Sequence, residues 1–510
     1  MSEFKPTKSQ AAAISARGST VLVSAGAGSG KTKVLTERLM SYVTDSAHPA
    51  DLDSFLIITF TRAAAGELRG RIMDELAARL AADPGNRRLR RQSALCQRAK
   101  IGTIHSFCAS LLRENSHLAG ISPDFKIADD ERAQSMKSAA LERVLEERYQ
   151  NSGDYPGFLA LADTVGVGRD DSRLAALVLS LHEKMQCHAR PELWAEEQVK
   201  LLKSGAADVG DTPWGREILD RAKASAAYWS GELDRLMEAM AGEEKIAKAY
   251  LPSISDTAAQ IRELVRCMDI GWDKARGCFP VVFGRLGTLR NSPDAALSDK
   301  IKTRREACKK AMADIEATLY APSEALLAEL ESTGDSMGAL LSLTLDFDAQ
   351  YSKLKRRAGL VDYADLEHLT AKLLTKPDGS PTELAAAMSA RFTEVMVDEY
   401  QDVSRVQDAI FKAVSDEGRK LFLVGDVKQS IYRFRLADPE IFTEKYNSFI
   451  DDDSAAAGAP RRVILQENFR SRREILDCAN AVFSQCMSRE LGDIDYDDAA
   501  ALRCGASYEG

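Results

Sequence analysis

The chain has 510 residues, 45% of them apolar, with 68 Lys and Arg against 77 Asp and Glu for a net charge of -9. That length suits roughly three or four domains of ~150 residues, and the composition excludes disordered and collagen-like classes. No apolar run approaches the ~18 residues of a membrane span, and the start, MSEFKPTKSQ, has no hydrophobic signal core, so a cytoplasmic protein with no membrane partner is expected.

The first 125 residues alternate short apolar runs with helical patterns, the grammar of a parallel sheet covered by helices. Strands are read at Thr20 to Ser24, Phe55 to Thr59 and Lys100 to Ile104. After the second, Leu68, Ile72, Leu76 and Leu80 recur at steps of four, the buried stripe of an amphipathic helix. From 126 to 357 strand patterns vanish and charge-rich helical segments dominate, with breaks at Tyr155-Pro156-Gly157, Thr212-Pro213 and Ser292-Pro293. One late helix starts at Pro322-Ser323, and another carries Leu340, Leu343, Phe347, Tyr351 and Leu354. Strands return at Glu394 to Val397 and Leu421 to Val424, around a helix with Val403, Val406, Ile410 and Val414 on one face. The small, polar stretch from Asp451 to Arg462 reads as a linker before a new strand at Val463 to Leu465.

SAGAGSGKT, Ser24 to Thr32, lies between a strand and a helix, the setting a phosphate-binding loop requires. Ala25, Gly26, Ala27, Gly28, Ser29 and Gly30 form the loop; its glycines let backbone N–H groups turn toward phosphate oxygens, Lys31 adds a point charge and Thr32 a hydroxyl for Mg²⁺. Ala25 stands where the strict GxxxxGK[ST] pattern has glycine. Asp398 and Glu399 follow the apolar run Val395 to Val397: the first is placed to position the metal through its water shell, the second to orient and deprotonate an attacking water. These features predict a nucleotide-hydrolysing enzyme that uses ATP and Mg²⁺. The basic stretch from Asn86 to Lys100 reads as a solvated helix face with DNA contact as the alternative. Nine cysteines without a CxxC pair read as reduced thiols.

The series TKSQAAAI, AGAGSGKT, ITFTRAAAGELRGRI, IGTIHSFC, VMVDEYQDVSRVQ, LFLVGDVKQSIYRFRLADP and LQENFRSRREIL resembles, in order and content, the leading motifs of UvrD/Rep-type superfamily-one DNA helicases. IYRFRLADP, with GLVDYADLE ahead of the metal motif, is most similar to the AddA-type helicase–nuclease subunits of double-strand-break processing complexes. The resemblance implies an α/β fold built on a RecA-like P-loop parallel sheet. Its first motor domain would occupy 1–125 and 358–450, with a helical insertion at 126–357 and a second RecA-like domain starting at 451–510. It implies that Gln10 reads the adenine edge, Phe469 packs on the adenine ring, Gln429 senses the γ-phosphate and Arg470 is an arginine finger from across the linker. For DNA, it implies stacking on Phe434, with Phe60 and Tyr432 as further candidates, and phosphate contacts from Thr61, Arg62, Thr103 and His105.

The implied activity is 3′ to 5′ DNA unwinding or translocation in double-strand-break repair and recombination, on single- and double-stranded DNA, in a heterodimer with an AddB-type nuclease subunit. The alternatives are a single-subunit repair helicase and a P-loop ATPase that remodels protein partners. Later motifs of the family and a C-terminal nuclease do not occur in the sequence, so an N-terminal fragment that binds ATP, hydrolyses it slowly and does not unwind DNA is expected.

Overall fold

The computed structural model describes residues 5–166, 171–202, 205–289, 292–456, 458–489 and 494–506. They fall into two compact units, the first comprising 1–147, 175–194 and 343–510 and the second 148–174 and 195–342.

The first unit is built on a seven-stranded sheet. Its strands are β1 (Val21–Ala25), β2 (Phe55–Ile58), β3 (Lys100–Gly102), β4 (Glu394–Val397), β5 (Leu421–Gly425), β6 (Ile450–Asp451) and β7 (Arg461–Leu465). They lie in the order β3-β2-β4-β5-β1-β7-β6, every neighbouring pair parallel. Parallel strands need both faces covered, and the sequence supplies this through its two-residue side-chain period. Leu22, Leu56, Ile58, Val395, Val397, Leu421 and Leu423 enter the core on one face. Val21, Val23, Phe55, Ile57, Met396, Phe422 and Val424 enter the core on the other. The second core also takes Val34, Leu35 and Leu39 from helix Lys31–Val43 and Leu68, Ile72 and Leu76 from helix Arg62–Ala82. The expected α/β parallel sheet is therefore present, with strand ends displaced by one or two residues.

Two features differ from the sequence reading. The two late helices expected from 322 onward are one uninterrupted helix, Ser323–Arg357. Strand β7, read as opening a second motor domain, instead pairs along β1, Val463 opposite Val23 and Leu465 opposite Ala25. Its inward residues Val463 and Leu465 are apolar and join the core beside β1, so leaving that sheet would expose them. Beyond it, Glu467–Asn468 and Arg503–Cys504 form a separate two-stranded ladder, and helix Arg473–Cys486 follows.

In the second unit, helices Pro213–Met240 and Glu244–Ile270 pack together through Leu219, Ala226, Leu233, Ile254, Ile261 and Leu264. Thr212 caps the first through its hydroxyl and Pro213 takes the first helical position, where its missing N–H costs nothing. Trp272 seals one end, its indole N–H donating to the Ala321 carbonyl at 3.0 Å. All nine cysteines are unpaired.

A buried carboxylate makes the first unit acid-labile. Asp408 accepts from the Tyr400 hydroxyl at 2.5 Å and pairs with Lys412 at 2.8 Å and Lys445 at 3.2 Å. Burial alone would raise its pKa, but the two ammonium groups and the hydroxyl outweigh burial and hold it below the ordinary value. A depressed carboxylate contributes stability that is present above its unfolded pKa of about 3.9 and lost as pH falls through the folded value. Asp408→Asn is therefore expected to be less stable at neutral pH and to lose less on acidification, a difference that urea midpoints measured from about pH 6 downward will show.

Candidate active site

Loop Gly26–Gly30 sits at the carboxyl end of β1, where open parallel sheets place their ligands. Gly28 and Gly30 have φ of +70° and +82°, the left-handed region that a Cβ disfavours. A Cβ on Gly28 would also stand 2.7 Å from the Asn468 amide. Ala25 is the last residue of β1 and Ala27 is exposed on the loop. The buried Ser29 hydroxyl donates to the Gly26 carbonyl at 2.7 Å, fixing the turn. Gly30 caps helix Lys31–Val43 with no side-chain hydrogen bond, so the N–H groups of that first turn, Thr32 included, face an anion site. Gln10 reaches the same loop. Its Nε2 donates to the Ser29 carbonyl at 3.0 Å and its Oε1 accepts from the Thr7 N–H at 3.0 Å, so both ends of the amide brace the loop and its own helix.

Asp398 and Glu399 extend from β4, two strands from β1 on the same sheet edge. Lys31 Nζ meets Glu399 Oε2 at 3.1 Å. Glu399 has a left-handed backbone, φ +51° and ψ +45°, an unfavourable conformation for a residue with a side chain and one that collects at functional sites. Its N–H donates to Asp398 Oδ1 at 3.0 Å. Burial, then the charge of Glu399, pushes Asp398 up to about 6, with the Lys31 ammonium pulling the other way. Burial and Glu399 likewise push Asp402 up to about 6. Crowded carboxylates beside one ammonium gain from a further cation. Among the described residues there is no group of three or more His, Cys, Asp or Glu that could hold a metal. Mg²⁺ does not require one, since it commonly takes one or two protein oxygens and fills its octahedron with phosphates and water.

The segments after β5 and β7 converge on the same edge. Gln429 donates to Asp426 Oδ2 at 2.8 Å, and Lys428 pairs with Asp426 Oδ1 at 2.9 Å. Asn468 donates to the Ala27 carbonyl at 2.6 Å and accepts from the N–H groups of Arg470 and Ser471, both at 2.8 Å. The Phe469 N–H donates to the Gly28 carbonyl at 2.9 Å, and its ring is exposed beside the loop. Phe469 and Arg470 thus reach the phosphate loop from the strand next to β1, and not from across an interdomain linker as the sequence leads one to expect. The reason is the pairing of β7 with β1.

A groove of about 410 Å³ opens between Asp398, Glu399 and the DNA candidates. Phe60 stacks on Tyr432 with ring centroids 4.7 Å apart, and Phe434, 75% exposed, lies 5.9 Å beyond Tyr432. Thr61 and Thr103 cap helices through their hydroxyls, accepting from Ala64 and Ser106, while Arg62 is exposed in the first turn after Thr61. His105 lies 3.0 Å from Glu367 and its ring 4.8 Å from that of Tyr363. The basic stretch is turned inward in part: Arg88 donates to the Val43 and Ala50 carbonyls and Arg91 pairs with Asp51. These arginines brace the loop ahead of β2.

Sequence reasoning passed over Gln401, Asp426, Asn468, Tyr363 and Glu367. Each lies inside a quoted motif, and the first three are polar groups buried below 3% exposure, which a linear motif does not reveal. The profile of the UvrD/REP helicase N-terminal domain matches residues 6–450. The chain is 36% identical over 519 residues to the AddA subunit of the ATP-dependent helicase/nuclease of Acetivibrio thermocellus, covering 99% of this chain and 41% of that protein. It is 35% identical to the protein of the same name from Clostridium novyi (100% and 41%) and 37% identical to that from Desulforudis audaxviator (99% and 42%). The chain therefore spans about two fifths of the length of these relatives.

Proposed function

The chain belongs to the UvrD/REP helicase family, and from that membership and the site geometry we propose that it is the ATP-hydrolysing motor portion of a DNA helicase–nuclease subunit. The observation that carries this reading is the meeting of distant segments at one sheet edge: Lys31 on Glu399 at 3.1 Å, Phe469 on Gly28 at 2.9 Å, and Asn468 on Ala27 at 2.6 Å.

In this reading the N–H groups from Ala25 to Thr32, with Lys31, bind the phosphate oxygens. Phe469 covers the adenine ring, and Gln10 meets its edge by exchanging one of its two present hydrogen bonds. Thr32 and Asp398 would hold Mg²⁺, which neutralises phosphate charge when bound. Glu399 orients a water and takes its proton, Gln429 senses the terminal phosphate, and Arg470 offsets charge on the transferred group. Bases stack on Phe60, Tyr432 and Phe434, while Thr61, Arg62, Thr103 and His105 engage the backbone. The shared groove beside Asp398 and Glu399 supports a coupling of DNA occupancy to hydrolysis. The full protein would translocate 3′ to 5′ on DNA in double-strand-break repair and recombination, in the cytoplasm, paired with an AddB-type nuclease subunit. No helix among the described residues is long and apolar enough to cross a membrane.

In the full-length protein, Lys31→Ala is expected to weaken binding of a fluorescent ATP analogue roughly 10- to 100-fold, the worth of a charge-assisted contact, without lowering the melting temperature. Unwinding of a 3′-tailed duplex should disappear with it. Unchanged nucleotide affinity would reject the site, and ATP-driven activity indifferent to single-stranded DNA would favour the protein-remodelling alternative.

A further inference from the structure

Gln401 is 1% exposed, and its amide joins segments that the proposed mechanism uses separately. Nε2 donates to Glu399 Oε2 at 2.9 Å and to Asp402 Oδ2 at 3.3 Å. Oε1 accepts the backbone N–H of Asp426 at 3.0 Å. Asp426 holds Gln429, and the Ser430 hydroxyl returns to the Gln401 carbonyl at 3.4 Å. Two residues further on, Tyr432 stacks on Phe60. The contact is built at close quarters: a Cβ on residue 425 would stand 2.5 Å from Gln401 Oε1 and 3.2 Å from its backbone nitrogen. Gly425 is thus required by the approach of Gln401, since its own backbone is an ordinary strand.

Glu399 Oε2 carries two donors, Lys31 and Gln401. While both are in place, they occupy the lone pairs that a water proton needs. Phosphate oxygens compete for Lys31, and Gln401 then remains as the tether on that oxygen. Because the same amide is fixed at its other end to Asp426, a shift of residues 426–432 would move it and re-aim Glu399.

We propose that Gln401 is a positioning residue that links base stacking at Phe60 and Tyr432 to the orientation of the Glu399 carboxylate, so that single-stranded DNA accelerates hydrolysis through it. The inference rests on the reading of Glu399 as the group that accepts the water proton. In that step the water oxygen bonds to the terminal phosphorus, the bond to the bridging oxygen breaks, and the nucleoside diphosphate leaves with the electron pair. Gln401 exchanges no atoms.

The test uses the full-length protein carrying Gln401→Met, which keeps side-chain volume and removes the amide. Turnover of ATP is measured with and without saturating oligo(dT), alongside the Kd of a fluorescent ATP analogue. The ratio of DNA-stimulated to DNA-free kcat is expected to fall at least about fivefold while nucleotide affinity stays within about twofold, the range of a site-to-site coupling being about 5- to 150-fold. A merely structural role would lower affinity and both turnover values together, and that pattern, or a ratio equal to that of the parent protein, overturns the proposal. Should Gln401→Met fail to fold, Gln401→Glu keeps the outline of the side chain and sets a carboxylate against Glu399 and Asp402, and the same ratio decides. Lys31→Ala separates the levels: retained nucleotide affinity there rejects the site itself, whereas lost affinity there with full stimulation in Gln401→Met rejects only the role of Gln401.

Discussion

Glu399→Gln is expected to lower kcat for ATP hydrolysis roughly 10²- to 10⁴-fold, the usual worth of a general base, with nucleotide still bound. The substitution preserves volume, and the left-handed backbone that aims the side chain, φ +51°, is a property of the turn after β4. What it removes is the proton acceptor and one half of the 3.1 Å contact with Lys31. Both partners of that contact keep solvent access, so its loss has little effect on stability. Lys31, released from its carboxylate, stays available to phosphate, so equilibrium titration should show affinity equal to or tighter than that of the parent protein. Steady-state turnover within about tenfold of the parent would remove Glu399 from the proton-accepting role, given that a positioned base contributes about 10²-fold or more. Asp402, in the same cluster, would then be the group to replace next.

Glu394→Ala is expected to destabilise the protein by about 3–5 kcal/mol, the cost of stranding a buried charge. Arg38 is fully buried in the helix that begins at Lys31. Its Nε donates to Glu394 Oε2 at 2.8 Å, Nη2 to Oε1 at 2.5 Å, and Nη1 to the Ala13 carbonyl at 2.7 Å. The Tyr42 hydroxyl donates to Glu394 Oε1 at 3.0 Å, and the guanidinium lies 4.3 Å above the Phe422 ring. Burial followed by the Glu394 charge pushes Tyr42 up to about 12. One helix is thereby fastened to β4 at both ends, by Arg38 to the first residue of the strand and by Lys31 to the turn just past its last. Urea denaturation will read the loss, and replacing both partners together, Arg38→Met with Glu394→Leu, should restore most of it because no unpaired charge remains. A loss below about 1 kcal/mol would equate this pair with a solvent-exposed one and reject its buried description.

The strands of the main sheet were legible because each is a short apolar run whose neighbours in sequence settle its period. Val395 to Val397 and Leu421 to Leu423 need no knowledge of their partners to be recognised as strands. The phosphate loop was legible for the same reason: turn, helix start and charge lie within nine consecutive residues, Ser24 to Thr32. Asp398 and Glu399 followed from their place at a strand end. The sheet that Val463 to Leu465 joins was not legible, since a strand pattern states that an edge exists and not which edge it meets.

The sequence by itself therefore determined the class of sheet, the loop that takes phosphate and the carboxylates that face it, because those depend on spacing along one stretch of backbone. Only the tertiary structure decided that Asn468 holds Ala27 across 441 residues, that Gln401 lies between Glu399 and Asp426, and that Tyr363 and Glu367 share a groove with Phe60. A buried amide has no periodicity to announce it. Its partners are whichever donors and acceptors the packed strands bring within reach, and those distances exist only once the sheet has formed.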